Sequence, residues 1–384
     1  MINSTLYISG NLFPATAGDS ILSQGLIERL FKITDLDVCS YGSEQDLLNT
    51  NFSDRKEHFF LTNKRVLKTS ISKRILRFGS IKQVYSDELN LIIKKRLQQK
   101  KYSHIIVDHL RAYSLAKEMY DIFKRENIKL IYVAHNIEYH NLNENIRFIN
   151  SWLEKLKLYL FNLNLKNLEF DILNKADITW ALTNEDKIHL KSINPNGVYK
   201  IIPPYFKWGK VKPLASLNNK TKKLLILGSM DWYPNILGTL HFVENIFSKL
   251  INIDSNYKLY IVGKNPNREI RNLKSESIIV TGRVHSVDAY IKDCDLLVIP
   301  NRLGNGIKIK FYESISKGLP VISYSENIAG YKSELLKLPF VVSNEQEFID
   351  SIIEVISNFE LKKQFLNSFK FENKLDNKIF KINS

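Results

Sequence analysis

Short runs of consecutive apolar residues, each closed by a turn or a polar stretch, recur along the first half of the chain. Thr5-Leu6-Tyr7-Ile8-Ser9-Gly10 leads into a loop with Pro14 and Gly18, then into a helical pattern from about Ser20 to Phe31. Similar runs follow at Ile105-Ile106-Val107, Leu130-Ile131-Tyr132-Val133 and Ile178-Thr179-Trp180-Ala181-Leu182. A strand apolar at successive positions is buried on both faces, so this alternation predicts a parallel sheet covered by helices on each side. Between Val198 and Lys222 the pattern lapses into Pro203-Pro204, Pro213 and an Asn/Lys-rich stretch, which continues neither a helix nor a central strand.

Alternation then restarts, with strands expected at Lys223–Leu227, Tyr257–Val262, Ile278–Thr281, Asp295–Ile299 and Pro320–Ser323, and a helix at Phe348–Asn358. The reading is α/β with two doubly wound, Rossmann-like domains, 1–205 and 223–358, joined by a linker at 206–222. Residues 359–384 form a docking helix and a frayed tail, while Trp152 to Phe170 reads as a core or interdomain helix. Ligands of such sheets bind at the C-terminal strand ends, and two facing sheets make a cleft.

The length of 384 residues and the 44% hydrophobic content agree with two cores and disfavour disorder. Cys39 and Cys294 lie far apart, without the spacing of a disulfide scaffold or a zinc site. Met1 to Phe13 lacks a basic leader, and no segment reaches the roughly 18 apolar residues that cross a bilayer. The expectation is a cytoplasmic protein, soluble or peripheral.

The net charge of +15 admits nucleic acid, an anionic membrane or a phosphorylated substrate. Leu61 to Tyr102 concentrates it, with Lys73, Arg74 and Arg77 among its cations and only Asp87 and Glu88 against them. Interleaved apolar residues suit amphipathic helices, whose basic side is either an ordinary solvated face or a surface for anionic lipid or a lipid diphosphate. No recognition-helix, RNP or zinc-finger pattern supports nucleic acid as a partner.

The richest segment is Asn301-Arg302-Leu303-Gly304-Asn305-Gly306-Ile307-Lys308-Ile309-Lys310-Phe311-Tyr312-Glu313, which stands between a strand and a helix. A glycine turn there aims free N–H groups, at Gly306 and Ile307, toward an anion such as a diphosphate. Lys308 and Lys310 add charge, and Glu313 accepts hydrogen bonds from two hydroxyls such as those of a ribose. Taken alone, the same residues also make an ordinary loop, a solvated lysine pair and a capping Gly318.

The whole string resembles the donor-binding segment of GT-B glycosyltransferases of family 4. Glu313, Gly318, Pro320 and Val321 match that family's pattern, and Asn305 stands where its first Glu is usual. Gly304, Gly306, Lys310 and Glu313 also satisfy a form similar to that of bacterial polysaccharide transferases. Gly228 to Asn235 looks like the loop after the first strand of the nucleotide domain, with Met230 and Asn235 near the places of a family Arg and Lys. The resemblance leaves Arg302, Lys308 and Lys310 to supply that charge. It also sets Gly263, Arg283 and Val284 near the base, Gly18 in the glycine loop with Asp19, and His135 of Ala134-His135-Asn136-Ile137-Glu138 at the donor sugar or phosphate.

The resemblance therefore implies a retaining transferase, with His135, Asn305 and Lys310 as catalytic residues. Its partners are a nucleotide-diphosphate sugar and a glycan or lipid-linked acceptor in bacterial surface polysaccharide synthesis, with neither cofactor nor metal. A GT-B sugar-nucleotide epimerase is the alternative, and its carboxylate set is not evident. Asp293-Cys294-Asp295 spells a metal motif of a different fold and is expected to be structural. Asp35 and Asp37 precede a strand and read as a turn.

Overall fold

The computed structural model describes residues 3–13, 18–48, 50–62, 87–147, 151–205, 221–230, 232–302, 308–327, 340–368 and 377–381. The described residues fall into two units: one holds the chain through Tyr205 together with 377–381, the other runs from 221 to 368.

The first unit is built on seven parallel strands: β1 (Ser4–Ser9), β2 (Asp35–Tyr41), β3 (Phe59–Thr62), β4 (His104–Asp108), β5 (Lys129–Ala134), β6 (Ile178–Ala181) and β7 (Tyr199–Ile201). Their order is β3-β2-β1-β4-β5-β6-β7. Side chains alternate across the sheet and both faces are covered. Leu6, Ile8, Ile105, Val107, Leu130 and Tyr132 pack on one face with Leu89, Ile93, Phe161 and Leu165 from covering helices. Tyr7, Ile106, Ile131 and Val133 pack on the other with Leu26, Ile27 and Leu30 of the helix Gly18–Leu30. The chain end returns to this second face, where the Trp180 indole donates to the Ile379 carbonyl at 3.3 Å and Phe380 lies 4.6 Å from the His104 ring.

Asp35 and Asp37 do not form a turn, because they are the first and third residues of β2. Asp37 is buried, and its carboxylate accepts hydrogen bonds from Arg96 at 2.7 Å, Tyr102 at 2.5 Å and Lys100 at 3.2 Å. Burial alone raises its pKa, and these partners together with His58 bring it below the ordinary value. The partners come from distant segments, so the pattern near Asp37 gives no sign of them.

The second unit has six parallel strands: β8 (Lys222–Leu227), β9 (Tyr257–Val262), β10 (Ile278–Gly282), β11 (Leu296–Ile299), β12 (Val321–Tyr324) and β13 (Val341–Val342). Their order is β10-β9-β8-β11-β12-β13. The helix Tyr233–Phe242 passes through a π-helical turn, Val243–Phe247, into Ser248–Ile253. Phe359–Ser368 is helical, and its Phe365 stacks on Phe340 with centroids 3.8 Å apart. Most of the expected linker, 206–220, lies outside the described residues.

Each sheet reverses its direction of growth once, between β1 and β4 in the first unit and between β8 and β11 in the second. The crevice at such a reversal, beyond the C-terminal strand ends, is where open α/β sheets hold ligands. Close main-chain packing shapes the second one: a Cβ at Gly263 would stand 1.6 Å from the Gly228 carbonyl oxygen. Gly263→Ala is therefore expected to cost about 3 kcal/mol, the upper end of overpacking penalties. Urea unfolding checks this, and an unchanged midpoint contradicts it.

Candidate functional site

In the first unit the reversal point brings four segments together. Ser9 ends β1 and pairs in register with Asp108, which ends β4. The Asp108 carboxylate accepts from Ser9 Oγ at 2.8 Å, from Ser23 Oγ of the helix Gly18–Leu30 at 2.6 Å, and from His135 Nε2, just beyond β5, at 2.7 Å. Both members of the Asp108–His135 pair are almost wholly buried. Burial raises the Asp108 pKa, but the His135 charge and the three hydrogen bonds bring it below its usual value. For His135 burial disfavours the imidazolium, and Asp108 outweighs it, so the pKa is raised. Both shifts favour the charged form of the pair, with hydrogen bonds meeting the desolvation cost that would otherwise count against it.

With Nε2 committed to Asp108, Nδ1 of His135 is buried without a hydrogen-bond partner among the described residues. His135 lines a small pocket with Asp19, Ser23, Asp108, His109 and Arg111. A second histidine stands beside it, the rings of His109 and His135 being 5.3 Å apart. His109 has a φ of 72°, in the left-handed region that non-glycine residues enter only when their surroundings hold them there. Its Nε2 lies 2.8 Å from Glu138 Oε1. Burial raises the Glu138 pKa, but His109 above all, then Arg111 and His135, hold it down to about 2. Gly18 opens the helix that carries Asp19 and Ser23.

In the second unit Lys310 lies in the first turn of the helix Ile309–Ser316. Its Nζ donates to the Leu227 carbonyl at the end of β8, at 3.1 Å, and contacts Asn235 Oδ1 at 3.4 Å. Asn235 Oδ1 also accepts from Asn301 Nδ2 at 2.8 Å, while Asn235 Nδ2 donates to the Ser229 carbonyl at 2.9 Å. Lys310 therefore sits at the reversal between β8 and β11. Burial, then the neighbouring Lys308, lowers its pKa to about 7, and burial lowers that of Lys308 to about 8. Glu313 is three residues further along, on the same helix face as Lys310. One of its oxygens accepts from Lys317 at 2.6 Å, and the other has no hydrogen-bond partner among the described residues.

Arg302 is held differently. It reaches Glu326 and the Ser343 carbonyl, each at 3.0 Å, and its guanidinium lies 3.9 Å from the centre of the Tyr324 ring. Arg283 is exposed and Val284 half-buried just after β10, whose last residue, Gly282, has a φ of 72°. Gly304, Asn305, Gly306 and Ile307 lie outside the described residues. Asp293 and Asp295 both bind Lys223, through its ammonium at 2.9 Å and its N–H at 2.8 Å, which is a junction between helix and strand. Asp35, Asp37 and His58 place ligand-type atoms within 4.8 Å of one another. Lys100 and Arg96 already neutralise those carboxylates, so the group is an ion-pair node.

Sequence reasoning singled out His135 but missed Asp108, Ser9, Ser23, His109 and Glu138 as its company. One signal was present, since Asp108-His109 directly follows the apolar run Ile105–Val107 and so stands at a strand's C-terminal end.

Residues 221–358 match the family model described as glycosyl transferases group 1. No curated protein matches the chain. Among solved structures, HepE of Anabaena in complex with UDP and glucose is similar, with a TM-score of 0.57 at 14% identity, covering 95% of this chain and 92% of that one. A glycosyltransferase from Rickettsia africae gives a TM-score of 0.57 at 15% identity, covering 96% and 92%. A Listeria monocytogenes protein described as a UDP-N-acetylglucosamine 2-epimerase gives 0.53 at 13%, covering 96% and 91%. The chain has the GT-B fold, and its second unit carries the match to the group 1 glycosyl transferases.

Proposed function

We propose that the chain is a retaining glycosyltransferase that moves a sugar from a nucleotide-diphosphate sugar to a glycan or lipid-linked acceptor in bacterial surface polysaccharide synthesis. The carrying observation is the placement of Lys310 at the reversal point of the second sheet, with Glu313 on the same helix face, inside the segment that matches the family. Charge grows on the diphosphate as the sugar–phosphate bond breaks. Preorganised donors stabilise it, here Lys310 and Lys308; the family resemblance assigns the N–H groups of Gly306 and Ile307 to the same task. In this reading neither metal nor cofactor takes part. The family resemblance assigns Asn305 to the sugar, Glu313 to the ribose, and Gly263, Arg283 and Val284 to the base.

Attack comes from the acceptor hydroxyl on the face the leaving group departs from, and its proton passes to the diphosphate oxygen released as the sugar–phosphate bond breaks. His135 then has no proton to abstract, and its Nδ1 can serve as a hydrogen-bond donor when the ring is an imidazolium. Reaction at the inner face of the cytoplasmic membrane fits a lipid-linked acceptor; the Lys73, Arg74 and Arg77 segment considered for that contact lies outside the described residues.

Incubation with UDP sugars, without acceptor, tests the reading against an epimerase. A transferase gives at most slow hydrolysis, and inversion of a sugar centre overturns it. Glu313→Gln is expected to weaken UDP binding by about 1.5–3 kcal/mol, since an amide puts a donor where ribose hydroxyls donate. Calorimetry reads this directly, and unchanged affinity with an intact fold removes Glu313 from the site.

A further inference from the structure

We infer that the first half of the helix Trp152–Lys175 is a docking surface for an anionic lipid bilayer. The segment reads in sequence as a core or interdomain helix, yet Trp152, Leu156, Tyr159 and Leu163 are 69%, 49%, 52% and 44% exposed. Their spacing of four, three and four residues draws one stripe along the helix, widened by the exposed Leu153 and Leu160. The stripe is not a loosely held end. The opposite face of the same turns inserts Phe161 and Leu165 into the core, and Ile172 and Leu173 are buried further on. Glu169, buried on this helix, accepts the backbone N–H groups of Glu138 and Tyr139 at 3.2 Å each. The helix is therefore clamped while its apolar stripe faces outward.

Charge selects the occupant. From Trp152 to Lys166 the sequence has three lysines, Lys155, Lys157 and Lys166, against Glu154. At 100° per residue Lys155 and Lys166 fall on one flank of the stripe and Lys157 on the other. Leucines in the centre, Trp and Tyr among them, and lysines at the margins are the arrangement of a helix lying in the plane of a membrane interface. The aromatic rings then sit at headgroup depth and the ammonium groups meet lipid phosphates. The chain's net charge of +15 adds attraction to the same surface. No helix among the described residues is long and apolar enough to cross a membrane, so the contact is superficial. This inference does not depend on the sugar-transfer reading.

The test is cosedimentation of the full chain with phosphatidylcholine vesicles, with and without phosphatidylglycerol, at low and high salt. Binding is expected to require phosphatidylglycerol and to weaken with salt. Leu156→Glu/Leu160→Glu should lower vesicle affinity about tenfold or more, with the circular dichroism spectrum and UDP affinity unchanged. Lys157→Glu/Lys166→Glu should lower it too, by a smaller factor that disappears at high salt. Absence of binding overturns the inference, as does equal binding to neutral vesicles or wild-type affinity in the Leu156/Leu160 variant. A wild-type dimer in light scattering that the same variant turns to monomer also overturns it, because the stripe then joins two copies of the chain.

Discussion

Lys310→Met is expected to lower donor turnover by about 10²–10³-fold at saturating UDP-sugar, the usual consequence of losing one preorganised donor to a developing oxyanion. Methionine keeps much of the side-chain stem and removes the ammonium, so the carbonyl of Leu227 and the amide of Asn235 lose their cationic neighbour while the packing survives. A pH signature accompanies the loss. In the free protein the Lys310 pKa is about 7 because burial and Lys308 disfavour its charge. A bound diphosphate reverses that balance and raises the pKa. At pH 8 the free protein holds Lys310 mostly neutral and Lys308 partly so, and the complex holds both charged, so UDP binding takes up protons, most of them at Lys310; at pH 6 it takes up little. UDP affinity should accordingly decline as pH rises above about 7. Calorimetry in two buffers of different ionisation enthalpy measures the uptake. Wild-type turnover together with undiminished proton uptake in Lys310→Met would assign the role to another group, with Lys308→Met as the direct comparison.

The parts of the molecule that were legible in its sequence are those whose cause is local. Ile105–Val107 and Leu130–Val133 are buried on both faces as central strands, so their apolar runs are continuous and visible. Three of the four edge strands, β3, β7 and β13, have only four, three and two residues, and no run of that length stands out. Lys310 and Glu313 could be read together because one helix presents both. The company of His135 could not, because the fold, rather than sequence spacing, brings Asp108 to it across 27 residues and Ser9 and Ser23 to Asp108 across 99 and 85. Trp152 to Phe170 was legible only in part, since Phe161 and Leu165 reach the core while Trp152, Leu156 and Leu163 do not. Its apolar residues outnumber the positions its helix buries, and composition does not say which face the core takes.

Asp108→Asn is expected to destabilise the first unit by about 3–5 kcal/mol near pH 5.5, the cost of leaving one member of a buried pair without its partner. The pH dependence distinguishes an ion pair from simple packing. A depressed Asp108 pKa contributes stability that is present above the unfolded-state value near 4 and is lost as pH falls through the folded one. A raised His135 pKa contributes stability that is full below the unfolded value near 6.5 and is lost as pH rises through the folded one. The two windows overlap between about pH 4 and pH 6.5, so the stability difference between wild type and variant should be largest there and should shrink by pH 9. Without the carboxylate, burial is the main remaining influence on His135, and its pKa should fall below the ordinary value. The share of His135 that can donate from Nδ1 as an imidazolium then falls, and turnover should drop by about 100-fold or more, the usual contribution of a positioned proton donor. Urea unfolding at pH 5.5 and 9 and an NMR titration of the His135 ring measure these effects. An equal stability difference at both pH values, or a His135 titration unmoved by the substitution, would reduce the pair to packing and leave His135 without a charge to offer.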